Sequence, residues 1–132
     1  TKKNMKNLFV PFDVAVKLKE KGFKELCFSC YNNSTQDLSF LRVGINWCEN
    51  ISEFQTYAPT YDQVTSWFRE NYNICVSSDG MLNKTVEPNA LCFMPTITTM
   101  DEDYDSPFDV DSITDNYYIS LNEAIKEALK LI

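Results

Sequence analysis

The sequence predicts an α+β fold: an antiparallel-rich sheet of about five to six strands, with three helices packed mainly on one face. Three observations predict it. Helix-start signals stand at Thr60-Tyr61-Asp62-Gln63 and Ser120-Leu121-Asn122-Glu123, each followed by an apolar stripe of helical period. Short runs rich in β-formers lie between the helical stretches, bounded by turn residues. A helix, a sharp stop and a strand also follow one another twice, over 11–31 and 60–76.

The elements are justified in chain order. Pro11 suits a first helical turn, and Asp13 complements the positive end of the helix dipole. Phe12, Val14, Ala15, Val16 and Leu18 form the apolar side, and Gly22 stops the helix. Leu26 to Tyr31 reads as a strand, Asn32-Asn33-Ser34 as a turn and Leu38 to Val43 as the returning strand. Residues 44–52 are ambiguous. Phe54 to Tyr57 is a short strand feeding the helix that Thr60 caps. In that helix Val64, Trp67, Phe68 and Tyr72 share one face, a core face before a partner-binding stripe. Ile74 to Val76 is a strand, Asp79-Gly80 a hairpin turn, and Met81 to Val86 a weaker strand. Leu91 to Met100 is strand-like, with Pro95 marking an edge or a break. Ser120 starts a last helix with Ala124, Ile125, Ala128, Leu129 and Ile132 on one face.

At 132 residues the chain is read as one α+β domain over 1–132, with a basic lead at 1–9 and an acidic exposed loop at 101–116. Hydrophobic residues make up 44%, enough apolar surface to offset chain entropy, so wholesale disorder is excluded. No apolar run approaches the roughly 20 residues that span a bilayer, and no membrane is expected as a partner. Leu8-Phe9-Val10 before Pro11 is too short for a signal-peptide core. Cys27, Cys30, Cys48, Cys75 and Cys92 are an odd count without a Cys-dense framework, which predicts five reduced thiols and a cytoplasmic protein. Charge is uneven: residues 1–24 carry a net +5 and residues 25–132 a net −12. A nucleic-acid binder needs a continuous basic surface, so no direct nucleic-acid partner is expected.

Three stretches carry a resemblance. The first runs from Val10-Pro11-Phe12-Asp13 to Lys21-Gly22-Phe23, ahead of the Cys-containing aromatic strand. The second is Ala58-Pro59-Thr60-Tyr61-Asp62-Gln63 through Trp67-Phe68-Arg69-Glu70-Asn71-Tyr72. The third is Glu123-Ala124-Ile125-Lys126-Glu127-Ala128-Leu129-Lys130-Leu131-Ile132. Together, over roughly a third of the chain, they resemble small uncharacterised proteins encoded by phages, including crAss-like phages, and by mobile elements of gut Bacteroidetes. The resemblance implies an origin in a phage or mobile element. It also implies a place in the bacterial host cytoplasm or in the virion. It contains no catalytic motif, matches nothing in 79–118 and transfers no functional residue.

The inventory of reactive groups is short. There is no histidine, which removes Ser–His and Cys–His pairs and the usual general base near neutral pH. The only glycines, Gly22, Gly44 and Gly80, make no phosphate loop. Cys27-Phe28-Ser29-Cys30 has redox or zinc spacing, but in a strand residues three apart face opposite ways, so buried thiols are the better reading. Asp101, Asp103, Asp105 and Asp109 imitate a calcium loop. Ser106 stands where glycine is needed and Ser112 where a bidentate Glu is needed, so these acids are weak metal candidates only. Tyr104, Phe108, Tyr117 and Tyr118, set among the acids, are the candidate partner-binding residues, since aromatics are enriched at contact centres; docking of the loop onto its own domain is the other reading, and the first of the two in weight. The expected protein is non-enzymatic and cofactor-free, an accessory protein acting through contacts with another protein, a second copy of itself included. The alternatives are an acidic DNA mimic that inhibits a host nucleic-acid-binding protein, and a hydrolase using carboxylates and a metal.

Overall fold

A computed structural model describes residues 5–40, 52–83 and 90–132. The chain divides into two compact units, Thr1–Val64 and Thr65–Ile132. The described residues form three α-helices and five antiparallel strands, an α+β fold. The strands make two sheets, one in each unit, rather than a single one.

The first unit opens with a short 3-10 turn, Met5–Leu8, and helix α1, Phe12–Glu20. Pro11 precedes α1 in extended conformation, and Val14, Ala15 and Leu18 are its buried face. Its end follows from Gly22, whose φ of +93° only glycine takes without strain. That conformation lets the N–H of Phe23 reach Leu18 O (3.0 Å) and its own N–H reach Lys19 O (3.1 Å), the two bonds of a Schellman cap.

Strand β1 is Ser29–Asn32, flanked by β2 (Leu38–Phe40) and β3 (Gln55–Tyr57) in the order β2-β1-β3. Asn32 makes the first turn: its Oδ1 accepts from Ser34 N and Thr35 N, and Gln36 closes the turn at φ 61°. β1 starts three residues later than the expected Leu26. The reason lies opposite it. Ala58 N–H bonds Ser29 O, and the next amide facing β1, that of Thr60, bonds Gln63 Oε1 instead of continuing the ladder. The part of the expected second strand beyond Phe40, and the ambiguous 44–51, lie outside the described residues. Tyr31 anchors this core: its hydroxyl donates to Val10 O at 2.6 Å and its ring meets Phe12 edge-on.

Helix α2, Tyr61–Tyr72, begins in the first unit and continues into the second. Its start is the expected capping box. Gln63 N–H donates to Thr60 Oγ1 (3.2 Å), and Gln63 Oε1 accepts from Thr60 N–H (3.0 Å). Val64, Trp67 and Phe68 are buried, and Tyr72, though 38% exposed, packs edge-on against Trp67 at 5.2 Å. Asn73, at φ 54°, ends the helix.

In the second unit β4 is Cys75–Asn83 and β5 is Ala90–Thr98, paired without a bulge from Cys75↔Thr98 to Asn83↔Ala90. This corrects the expected hairpin at Asp79-Gly80, where the strand runs straight through. Gly80 does not take positive φ. Asp79 accepts across the ladder from Thr96 Oγ1 at 2.8 Å and along its own strand from Ser77 Oγ at 3.2 Å. Pro95 sits inside β5, buried, and does not break it. Phe93 turns both N–H and C=O outward to Thr114, so Pro95, two residues on, also faces outward and its missing N–H costs β4 nothing.

Helix α3, Tyr117–Leu129, packs on both strands. It starts three residues before the expected Ser120. Asn116 is the cap, its Oδ1 accepting from Tyr118 N (2.9 Å) and Ile119 N (3.1 Å). Ser120 is inside the helix, fully buried, with no partner for its hydroxyl among the described residues, and Leu121, Ala124, Ile125, Ala128 and Leu129 share its face.

The caps give a sharp test. Thr60→Ala and Asn116→Ala should each lower stability by about 1 kcal/mol in denaturant melts. Ser120→Ala should leave stability unchanged or raise it, since it removes an unsatisfied buried hydroxyl. A loss from Ser120→Ala like that from Asn116→Ala would return the helix start to Ser120.

A second test concerns Tyr31. Burial first, and the negative charge of Asp13 second, raise its phenol above the ordinary 10.0. The folded chain therefore holds this proton more tightly than the unfolded chain. Its contribution is complete below pH 10.0 and is lost as pH rises through the folded value. Tyr31→Phe should cost about 1 to 3 kcal/mol at neutral pH, because Val10 O loses its donor. It should also flatten the alkaline limb of a stability–pH curve.

Candidate interaction surface

The β4–β5 ribbon has two faces, and α3 covers only part of one. Because the register is regular, Val76, Ser78, Gly80 and Leu82 share a face with Ile97, Pro95, Phe93 and Leu91. At the end near Cys75, Val76, Pro95 and Ile97 are buried. At the far end Leu82 and Leu91, directly opposite each other, remain 58% and 56% exposed. Between them lies Gly80. A Cβ there would stand 3.6 Å from both the Leu91 and the Phe93 side chains, so these two lie over the glycine.

The surface continues onto the first turn of α3. Tyr117 meets Phe93 edge-on with ring centres 5.6 Å apart, and Tyr118 meets Tyr117 at 5.2 Å. The Asn116 cap places both tyrosines, and the paired bonds between Phe93 and Thr114 (2.7 and 3.0 Å) tie the preceding loop to β5. Leu82, Leu91, Phe93 and Tyr117 thus form an apolar surface of the kind that marks contact sites.

Of the four aromatic residues expected at a contact, the structure joins Tyr117 and Tyr118. Tyr104 is half-buried, its hydroxyl shielded from water and without a described partner. Loss of solvent, then the charges of Glu127 and Asp105, raise its phenol above the ordinary tyrosine value. Phe108 is also half-buried, and among the described residues no ring pair links it to Tyr117.

The acidic stretch is exposed at Asp101, Glu102, Asp103, Asp105, Asp109, Asp111 and Asp115. Its carboxylates bond locally. Asp101 Oδ1 accepts from Asp103 N–H at 3.0 Å, while Asp109 caps the 3-10 turn Val110–Ser112, with Ser112 bonding back to the Asp109 N–H. Among the described residues no three His, Cys, Asp or Glu side chains gather as metal ligands. Cys27 and Cys30 are both buried. Cys27 donates to Glu25 O, and Cys30 accepts from Gln55 Nε2. Cys75 and Cys92 are free thiols, and Cys48 lies outside the described residues.

Two hollows lie on the first unit. One of about 640 Å³ is lined by Asp13 and Glu20, seven residues apart and so roughly 10 Å apart along the α1 axis. The other, about 510 Å³, holds one acid, Glu53, with Lys19 and Lys24 over Phe23 and Tyr57. Comparison of the chain with protein-family models, with curated proteins and with solved structures finds no match.

The acidic stretch gives a prediction. Replacing Asp101, Asp103 and Asp105 by Asn keeps an acceptor for the Asp103 N–H, so stability should change by no more than about 0.5 kcal/mol. Millimolar calcium should leave the melting temperature of the parent chain where it is. A calcium-dependent rise that vanishes in the triple variant would make the stretch a cation site.

Proposed function

We propose that the chain is a small non-enzymatic accessory protein of phage or mobile-element origin, working in the bacterial host cytoplasm or in the virion by contact with another protein. The observation that carries the contact function is the exposed pair Leu82–Leu91 joined to Phe93 and Tyr117. Two leucines opposite each other at more than half exposure contribute little to folding, yet they offer an apolar centre to a partner. The origin rests on the three stretches of sequence that resemble phage and mobile-element proteins.

A second reading has its own observation. Seven exposed acids within fifteen residues, Asp101 to Asp115, offer a dense negative surface that imitates phosphates and would occupy a host nucleic-acid-binding protein. One experiment separates the two. Affinity capture from host lysate with the parent chain, with Leu82→Ser/Leu91→Ser and with the triple Asn variant should show the partner lost by the double Ser variant and kept by the triple Asn variant. Both variants should melt close to the parent, since the replaced groups are exposed. The opposite pattern, with capture abolished by moderate salt, would favour the DNA mimic. Capture unchanged in both would remove the apolar surface from the function.

A further inference from the structure

β4 turns a row of backbone groups away from β5. Phe93 gives its N–H and C=O to Thr114, so its backbone points away from β4. In an antiparallel ladder the residue opposite does the same, and every second residue follows. Val76, Ser78, Gly80 and Leu82 therefore face outward, and among the described residues no backbone bond reaches those outward groups. Val76 is buried and Ser77 and Ser78 are half-buried. Asp79, Gly80, Met81 and Leu82 are all exposed, so Gly80 and Leu82 hold two donors and two acceptors toward solvent.

The two edges of the ribbon differ. On β5, Thr114 occupies the groups of Phe93, and Pro95 has no N–H at the next outward position. β4 is less protected: its nine residues include no proline, no lysine and no bulge, and Asp79 is its one charge. Edges of this kind bind extended segments by adding a strand.

We propose that the exposed edge of β4 at Gly80–Leu82 takes up an extended segment of a partner protein as a third strand, one that alternates apolar residues with lysine or arginine. Paired there, one side of such a segment lies beside Leu82 and Leu91, and the other beside Asp79. Charge selects this partner over a second copy. The second unit carries twelve acids against four bases, and a copy of β4 would bring the same excess to the edge. The proposal rests on the contact function above and names the partner's chemistry.

The test uses the full chain and a synthetic peptide of about nine residues alternating valine and lysine, with a twin N-methylated along its pairing edge. At about 0.5 M salt, where attraction between exposed charges is largely screened, the parent peptide should still bind. It should also slow hydrogen exchange at the Gly80 and Leu82 amides, and the twin should bind at least tenfold more weakly. Gly80→Pro, which removes an outward N–H and no bond to β5, should abolish binding while the chain still melts cooperatively. Equal binding of the twin, binding only at low salt, or protection elsewhere would overturn the proposal. So would a dimer of the free chain that Gly80→Pro disperses, since the occupant would then be a second copy. The two readings fail separately. Peptide pairing with capture unaffected by Leu82→Ser/Leu91→Ser sinks only the contact surface. Loss of capture without peptide pairing sinks only the edge.

Discussion

The reciprocal bonds between Thr60 and Gln63 settle where the first sheet stops and the second helix begins. Thr60 N–H would be the next amide available to β1 beyond Ala58. It bonds Gln63 Oε1 instead, and the ladder ends. The same glutamine side chain donates through Nε2 to Leu26 O at 2.7 Å, holding the chain ahead of β1 without a ladder. A bridge between Phe9 and Thr60 and the bond from Val10 N–H to Pro59 O bring the N-terminal segment to the same place. Val10 O then accepts from Tyr31 in the middle of β1. Several backbone groups that would otherwise be buried and unpaired are satisfied within a few residues of one cap, which is what a segment with so little regular sheet requires.

The second unit depends on register instead. A two-stranded ribbon is marginal alone and needs a helix on its face. α3 supplies Leu121, Ala124, Ile125, Ala128 and Leu129, and where it covers the ribbon the facing residues are Val76, Pro95 and Ile97. A shift of one residue in the β4–β5 pairing would send Asp79 and Ser77 toward α3 and bring Val76 out, so the buried pattern fixes the register strongly. The fixed register in turn decides what is left over. Leu82 and Leu91 fall past the helix, on the same side as the residues it covers.

Local features were legible in the sequence, and those set by distant partners were not. Gly22 and the Thr60–Gln63 box act within a turn of helix, so their neighbours in sequence are their neighbours in space. Asp79-Gly80 has the same local preferences whether the chain turns or continues, and only β5 decides between them, through Thr96 on Asp79 and through Leu91 and Phe93 over Gly80. Reading a turn there also hid the pairing of Leu82 with Leu91, so the apolar surface was missed except for Tyr117 and Tyr118. Ser120-x-x-Glu123 fits the cap pattern, yet Asn116 is an equally good cap one turn earlier. Starting there lets Tyr117 pack on Phe93 and adds two amide bonds. The period-2 series Val76, Ser78, Gly80, Leu82 was a signal for a longer strand, outweighed by one strong dipeptide.

Exposed apolar groups and exposed carboxylates do different work in association. Exposed carboxylates such as Asp101 to Asp105 act at a distance of about a Debye length, which speeds encounter with a cationic partner and slows approach by an acidic one. They hold little once contact is made, because both charges stay in water. Leu82 and Leu91 act only on contact, where removal of their exposed area from water sets the lifetime of the complex. The open backbone of Gly80 and Leu82 adds direction, because a strand must lie along it in one of few registers to pair at all. In the proposed complex, charge would choose who arrives, backbone how they lie and the leucines how long they stay. Such a division would give selectivity to a chain without histidine or a phosphate loop.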